Sequence, residues 1–106
     1  MITILDTTLR DGGYLNDWNF GKNAIFSIVD NLFRANIDYI ELGFLSDKKT
    51  NADKTIFNSL NIDFLHENIL NKTCLMLKAQ DFDISKLKKR NEKSVSKIRY
   101  IFKKYS

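Results

Sequence analysis

The sequence is poor in residues that break or cross-link a chain. It contains no proline, four glycines, one cysteine and one histidine among 106 residues. The single cysteine, Cys74, excludes an internal disulfide framework and fits a reducing compartment, so we expect a cytoplasmic location. Three of the glycines, Gly12, Gly13 and Gly21, follow the opening apolar run closely. Backbone freedom is therefore concentrated near the start of the chain.

Long apolar runs are also absent. No stretch approaches the ~20 apolar residues that a membrane-spanning helix needs, so we expect no membrane partner. The N-terminus lacks the basic start, apolar centre and small residues of a signal peptide. The content of 43% hydrophobic and 28% charged residues is typical of a globular protein. A chain of this length fits one domain, 1–106.

The net charge of +4 conceals an asymmetry along the chain. Residues 1–85 carry 8 lysines and arginines against 12 acidic residues, whereas residues 86–106 carry 9 against one. Such a basic end is either a lysine-rich solvated face or a contact surface for nucleic acid or an acidic protein. The second interpretation makes the chain a small basic α/β binding module acting through residues 86–104. Nucleic acid is the less expected partner, because the aromatic residues interleaved there also fit a strand.

Apolar patterning in the first 45 residues predicts a strand, a helix and a second strand. Residues 2–5 favour a short strand that Gly12 and Gly13 end. The apolar stripe that follows predicts a helix over 21–36, with Asn19 as its N-cap. Residues 39–45, YIELGFL, are apolar on both faces apart from one glutamate, as in a parallel strand covered by helices. Together these elements form a βαβ unit.

The rest of the chain continues the alternation less regularly. Residues 55–70 favour a helix, which Asn61 divides in two. Residues 73–79 predict a third strand, and residues 85–89 a short helix. Residues 95–102, VSKIRYIF, favour a fourth strand, with a C-terminal helix as the alternative. We therefore predict an α/β fold with about four parallel strands alternating with helices.

Polar residues cluster where the first strand is expected to end. Ligands of parallel α/β proteins bind outside the carboxyl ends of the strands, which places Arg10 and Asp11 on that face. Asp11 is a hard oxygen ligand suited to Mg²⁺ or Mn²⁺, and the fork of Arg10 suits a carboxylate or an enolate. Glu41, on the buried second strand, needs a partner because burying it unpaired costs several kcal/mol, and Arg10 is the candidate. An Arg10–Asp11 pair that only braces a tight turn explains the spacing equally well.

Three further features can be explained by packing or by surface location, without a functional role. The loop after the glycines carries three aromatic residues, Tyr14, Trp18 and Phe20, which either cover a pocket or plug the end of the sheet. The only histidine, His66, matches no motif, and we predict a surface or capping residue. Cys74 needs no role beyond core packing.

The segment LDTTLRDGGYLNDWNF, followed after the helix by IELGF, resembles the opening of the DRE-TIM metallolyase superfamily. Its members include 4-hydroxy-2-oxovalerate aldolase, hydroxymethylglutaryl-CoA lyase, and the isopropylmalate and homocitrate synthases. The likeness is greatest to the aldolase-like branch with a pyruvate carboxyltransferase-type domain. It implies the N-terminal half of a (β/α)₈ TIM barrel, truncated after about four strands. The implied activity is divalent-metal-dependent cleavage or formation of a carbon–carbon bond through a pyruvate-like enolate.

The resemblance also implies roles for particular residues. Asp11 becomes a ligand of Mn²⁺ or Mg²⁺, Arg10 steadies the enolate oxygen, and Glu41 orients Arg10. Asp6 and Thr8 support the same turn. Tyr14 stands where some aldolases of the family place a histidine base, so it either donates or relays a proton or leaves that task to another residue.

The metal site implied by the resemblance is incomplete in this sequence. The family takes two further ligands from an H-x-H pair on the sixth strand, and no such pair occurs here. We therefore expect the isolated chain to lack full lyase activity and to act on a 2-oxoacid-type substrate only when completed. A truncated reading frame, a split enzyme, a half-barrel homodimer and a structural partner for another barrel chain are all compatible with this.

Overall fold

The computed structural model describes residues 3–48, 50–78, 82–87, 89 and 91–101. These residues form a five-stranded sheet flanked by helices, an α/β fold. The strands are β1 (Leu5–Asp6), β2 (Tyr39–Leu45), β3 (Ile56–Phe57), β4 (Thr73–Lys78) and β5 (Lys97–Ile101). The α-helices are α1 (Thr8–Asp11), α2 (Lys22–Arg34) and α3 (Glu67–Leu70), and 3₁₀ turns span Gly12–Leu15 and Ile84–Lys86.

All of the strand pairs are parallel, and the main order is β1-β2-β4-β5. The short strand β1 pairs with the start of β2, whereas β3 pairs with its end at Phe44 and Leu45. Both therefore lie along one side of β2, with β4 on the other. Because the strands are parallel, the carboxyl ends of β2, β4 and β5 point towards one edge of the sheet. The short strand β1 already ends beside Ile40, so α1 follows it alongside β2 and does not begin at that edge, contrary to the expectation for Arg10 and Asp11.

The main hydrophobic core lies on one face of the sheet. Successive strand residues point to opposite faces, so Ile40, Leu42, Leu75 and Leu77 share one face. This face packs against α2 and α3, whose core residues include the fully buried Val29. The opposite face carries Glu41, Phe44, Cys74 and Met76, all of them buried as well. The two faces therefore differ in chemistry: one is aliphatic, and the other holds a carboxylate, a thiol and an aromatic ring.

A bulge in β2 places Glu41 and Phe44 on the same face. Glu41 pairs with Cys74 and Phe44 with Met76, so β2 contains one residue more than β4 between these two pairs. Gly43 lies in the bulge with φ +145, and a Cβ there would come within 1.9 Å of the carbonyl oxygen of Thr55. That carbonyl accepts a hydrogen bond from the Phe44 amide at 3.1 Å. The bulge therefore needs glycine for both its backbone angle and its space.

Several of the predicted elements are confirmed. The strand predicted at 39–45 coincides with β2, and the helix predicted over 21–36 contains α2. Asn36, just beyond α2, has φ +60, a conformation that ends a helix. The strands predicted at 73–79 and 95–102 contain β4 and β5, so the helical alternative for the last segment is wrong over 97–101. Residues 79 and 102 lie outside the described part of the chain.

The helix predicted over 55–70 is wrong for most of its length. Residues 56 and 57 form β3, and only Glu67–Leu70 is helical. The Phe44 amide donates to the Thr55 carbonyl and the Ser46 amide to the Phe57 carbonyl. Pairing with β2 thus provides hydrogen-bond partners for the backbone of this segment in a strand conformation. This tertiary contact overrides the local preference for a helix that the short apolar clusters indicated.

The predicted start of the α2 helix was also wrong. Asn19 forms an antiparallel bridge with Lys54, and Gly21, with φ +85, occupies the cap position. The Lys22 amide instead donates to a side-chain oxygen of Asp53 at 3.0 Å. Asp53, 31 residues further along the chain, therefore provides the hydrogen-bond acceptor that a local N-cap would supply. A sequence pattern around the helix start cannot predict such a distant partner.

Two shorter predictions need adjustment. The first strand ends at Asp6 and not at Gly12, since residues 8–15 are helical. The short helix predicted at 85–89 is a 3₁₀ turn over Ile84–Lys86, with residue 88 outside the described part. Among the described residues, no helix has the length and apolar character needed to cross a bilayer.

Candidate active site

Arg10 and Asp11 lie in α1, one helical turn beyond β1. The turn is started by Asp6, whose side chain accepts hydrogen bonds from the Thr8 amide at 3.0 Å and the Thr8 hydroxyl at 3.1 Å. The Thr7 carbonyl accepts from the amides of Arg10 and Asp11. Asp6 and Thr8 therefore support this turn, as expected from the sequence, although the turn is helical and not a glycine turn.

Arg10 joins a buried carboxylate to an exposed one. Its Nε donates to Oε1 of Glu41, whose side chain is fully buried. Its Nη1 lies 2.8 Å from Oδ1 of Asp11, whose side chain is 57% exposed. The other Asp11 oxygen accepts a hydrogen bond from the Thr7 hydroxyl at 2.7 Å. The predicted pairing of Arg10 with Glu41 is confirmed.

The guanidinium of Arg10 is not saturated by these contacts. It carries five N–H donors, and the contacts just described engage Nε and Nη1. Among the described residues, Nη2 has no hydrogen-bond partner. Arg10 therefore retains donors for an external oxygen while Glu41 holds its orientation.

Sequence reasoning missed Arg99, the second cationic partner of Glu41. Its Nη1 donates to Oε2 of Glu41, so both carboxylate oxygens bind a guanidinium. Arg99 lies on β5 opposite Met76, and therefore on the same sheet face as Glu41. In the sequence, Arg99 is indicated only by the alternation of charged and apolar residues in β5, where Lys97 and Arg99 flank the apolar Ile98. That signal becomes informative only once the register against β4 is known.

Cys74 also contacts Glu41, so its role is not limited to core packing. Its Sγ lies 3.8 Å from Oε2 of Glu41, so the thiol acts as a weak donor to that oxygen. Burial, with the negative charge of Glu41 as the next contribution, raises the pKa of the Cys74 thiol to about 12. Because the thiolate is the nucleophilic form, Cys74 at neutral pH is an inert donor.

Trp18 connects this cluster to the aromatic loop. Its indole N–H donates to the carbonyl of Arg10 at 2.8 Å. A Cβ on Gly13 would lie 1.8 Å from the indole, so glycine is required there to seat the ring. The ring also makes edge contacts with Tyr14, at 4.8 Å between centroids, and with Phe44, at 5.3 Å. Of the two interpretations of the loop, pocket lining applies to Trp18, since Trp18 and Phe44 border a common cavity.

Tyr14 is placed apart from the charged cluster. Its side chain is 63% exposed and contacts Trp18. Among the described residues, its hydroxyl has no hydrogen bond to Arg10 or Asp11. The structure thus brings Arg10, Asp11 and Glu41 together and leaves Tyr14 outside this group.

The described residues do not form a complete metal site around Asp11. Among them, no three His, Cys, Asp or Glu side chains lie close enough to hold a metal ion. Both oxygens of Glu41 are taken by guanidinium groups, and those of Asp11 contact Arg10 and Thr7. His66 is the N-cap of α3 and accepts from the Asn68 amide at 3.2 Å, which confirms its prediction as a surface or capping residue.

Part of the basic C-terminal region is engaged within the chain. Lys86 pairs with Asp47 at 3.4 Å, and Lys97 lies 4.1 Å above the ring of Tyr39. Arg99 binds Glu41. These three cations of the 86–104 segment therefore have partners, and the binding-module alternative stays a prediction without a structural observation in its favour.

Comparison of the chain with protein-family models, with curated proteins and with solved structures finds no match. The assignment of a function consequently rests on the residues themselves and on their geometry. The strongest feature is Arg10, which lies in the turn after β1 and is held by the buried carboxylate of Glu41.

Proposed function

We propose that this chain is the N-terminal half of a (β/α)₈ barrel of the DRE-TIM metallolyase type and supplies the enolate-binding side of an aldolase or lyase active site. The substrate class is a 2-oxoacid, and the reaction is cleavage or formation of a carbon–carbon bond. One observation carries the proposal: Arg10, in the helical turn that follows β1, lies between buried Glu41 and exposed Asp11.

In this proposal Arg10 stabilises the oxyanion that develops when the carbon–carbon bond breaks. Glu41 and Arg99 belong to the positioning machinery, because the buried carboxylate orients Arg10 and is itself held by Arg99. A donor that is oriented before the reaction stabilises developing charge without the cost of reorganisation. The N–H groups on Nη2 of Arg10 are the ones that would bind the enolate oxygen.

Asp11 is proposed as one ligand of Mn²⁺ or Mg²⁺. Its exposed carboxylate is a hard oxygen donor of the kind these ions prefer. The described residues alone do not fit such an ion, because no three His, Cys, Asp or Glu side chains among them are grouped closely enough to hold one.

The site requires completion by further residues. A barrel of this type takes about 250 residues, and its sheet closes on itself so that no strand edge stays open. Within the described sheet, β1 and β5 each pair with one neighbouring strand. We propose that they meet the missing half, whether that half lies in the same polypeptide, in a complementary chain or in a second copy of this one.

Tyr14 is the proposed proton donor or relay. Its exposed hydroxyl lies in the 3₁₀ turn that continues α1, so a substrate bound at Asp11 would approach it. The alternative is that the general base belongs to the completing half. A Tyr14→Phe variant of the completed enzyme separates the two, because it loses turnover in the first case and retains it in the second.

Binding of oxalate, a planar dianion that resembles the enolate of pyruvate, tests the role of Arg10. We expect calorimetry to detect oxalate binding that weakens about tenfold in Arg10→Lys, since lysine cannot reproduce the fork of hydrogen bonds. The matched control is Arg34→Lys, which alters an exposed arginine paired with Asp30 on α2. Equal oxalate affinity of the wild type and Arg10→Lys would contradict the proposal.

Activity measurements test the incompleteness of the site. We expect the isolated chain with Mn²⁺ to leave a 4-hydroxy-2-oxoacid uncleaved, because one carboxylate does not hold a catalytic metal. Cleavage by the isolated chain that disappears in Asp11→Asn would show that the site is complete. Oxalate binding and cleavage are separate measurements, so either part of the proposal can fail alone.

A further inference from the structure

A cavity of about 270 Å³ opens beside the candidate site, at the carboxyl ends of β2 and β4. Phe44 and Ser46 border it from the end of β2, and Lys78 is the last residue of β4. Trp18, whose indole binds the carbonyl of Arg10, forms part of the wall. The remaining lining residues are Lys48, Lys54 and Ile56.

The cavity is strongly cationic. Three ammonium groups line it, from Lys48, Lys54 and Lys78. Lys54 pairs with Asp17 at 3.2 Å, and that carboxylate is 79% exposed. No described aspartate or glutamate pairs with Lys48 or Lys78. Among the lining residues three are lysines and none is acidic, and Asp17 offsets only one of these positive charges.

The aromatic wall of the cavity is held in place. Trp18 has φ +57, a conformation that bulky residues rarely adopt, and Asp17 before it has φ +56. The Trp18 amide donates to the Gly13 carbonyl at 2.9 Å, and the indole N–H to Arg10. The ring thereby stands edge-on to Phe44, above which Lys78 Nζ lies at 4.8 Å from the ring centroid.

We propose that this cavity binds a small organic phosphate, with its phosphate among the three lysines and its carbon skeleton against Trp18 and Phe44. A phosphate ester carries about −1.5 to −2 charges at neutral pH, which is complementary to this lysine-rich lining. Lysines act as point charges that suit phosphate, whereas the planar fork of arginine suits a carboxylate. Ser46 Oγ accepts from the Lys48 amide at 3.2 Å, which leaves its own proton for a phosphate oxygen.

The size of the cavity restricts the ligand. Sites for drug-sized ligands are typically about 300–1,000 Å³, so this cavity suits a phosphate on a short carbon skeleton or a single ring. The proposal goes beyond the aldolase-type function, since it holds whether or not a carbon–carbon bond is broken nearby.

Trp18 is the only tryptophan in the chain, so its fluorescence reports on the cavity directly. The probes are phenyl phosphate, inorganic phosphate and benzoate. We expect a saturable change with phenyl phosphate at lower concentration than with either of the others, because it alone combines a dianion with a ring. Absence of saturation, or affinity no better than that of inorganic phosphate or benzoate, overturns the proposal.

Charge-removing variants locate the binding. We expect Lys48→Gln/Lys78→Gln to weaken phenyl phosphate binding about tenfold or more, because two charge-assisted contacts are lost. Lys89→Gln/Lys93→Gln, which removes the same two charges from exposed positions, is the control, and circular dichroism checks that each variant folds. Equal weakening by this control overturns the proposal. Arg10→Lys should leave phenyl phosphate binding intact, so this site and the oxalate site can fail independently.

Discussion

Arg99 and Glu41 are 58 residues apart in the sequence and form an ion pair in the fold. The pair crosses β4, because Arg99 lies on β5 and Glu41 on β2. The same carboxylate binds Arg10 through its other oxygen. Glu41 therefore links the turn after β1 to the last described strand, and a group expected only to orient Arg10 also ties the sheet together.

Loss of the Glu41 charge should destabilise the fold strongly. Removing one partner of a buried ion pair typically costs about 3–5 kcal/mol, and Glu41→Gln leaves Arg10 and Arg99 without their shared anion. Urea denaturation measures the change in the free energy of unfolding. The control is Asp30→Asn, which breaks an exposed pair with Arg34 and should cost less than about 0.5 kcal/mol. Similar losses in the two variants would contradict the structural role of Glu41.

The two arginines around Glu41 should contribute unequally. The side chain of Arg10 is 16% exposed and that of Arg99 42%, so solvent screens the second pair more strongly. We expect Arg10→Gln to cost about 2–3 kcal/mol and Arg99→Gln about 1 kcal/mol in the free energy of unfolding. Double-mutant cycles with Glu41→Gln measure both couplings. A larger coupling for Arg99 than for Arg10 would refute this ranking.

The Cys74 thiol should resist alkylation in the folded protein. Burial raises its pKa from 9.0 to about 12, so little thiolate is present at pH 8. We expect iodoacetamide to label Cys74 slowly in native buffer and rapidly in urea, as followed by mass spectrometry. Equally fast labelling in both conditions would show that the thiol is accessible and ionised.

The same pKa shift predicts a loss of stability in alkaline solution. The folded state holds the Cys74 proton more tightly than the unfolded state, so its stabilising contribution is complete below pH 9 and is lost as the pH rises towards 12. The Cys74→Ala variant, compared by denaturation across this range, should lose stability less steeply than the wild type. Parallel pH profiles would contradict the assignment to Cys74.

Gly43 should tolerate substitution far less well than Gly21, although both have positive φ. A Cβ at Gly43 would meet the Thr55 carbonyl at 1.9 Å, whereas at Gly21 it would meet nothing within 4 Å. We expect Gly21→Ala to cost about 1–2 kcal/mol from backbone strain alone, and Gly43→Ala at least about 3 kcal/mol because the bulge must also move. Thermal denaturation of the two variants provides the comparison, and equal costs would be inconsistent with the close approach of Thr55.

The elements that depend on the local periodicity of apolar residues could be predicted from the sequence. The stripe of α2 and the near-continuous apolar run of β2 were predicted because their periodicity is inherent in the sequence. The failure at 55–70 has the opposite cause, since β3 exists only through hydrogen bonds to β2. The helix cap supplied by Asp53 is non-local for the same reason.

In the candidate site, too, some contacts could be predicted from the sequence and others could not. The Arg10–Glu41 pair could be predicted, because a lone carboxylate on a buried strand needs a cation and Arg10 closely follows β1, the strand beside β2. Arg99 could not be found without the register that aligns Met76 with it. Nor could the lysine cavity, because Lys48 and Lys54 lie in the connection between β2 and β3, whereas Lys78 ends β4.

The sequence by itself determined the α/β alternation and the cluster of Arg10, Asp11 and Glu41, because periodicity and the cost of burying an unpaired charge act on any fold of this chain. Only the tertiary structure decided that Glu41 binds two arginines, that Cys74 is an inert donor and that three lysines share a cavity. These relationships depend on strand order, on register and on the Gly43 bulge. Such features follow from the packing of distant segments and not from the preferences of any one of them.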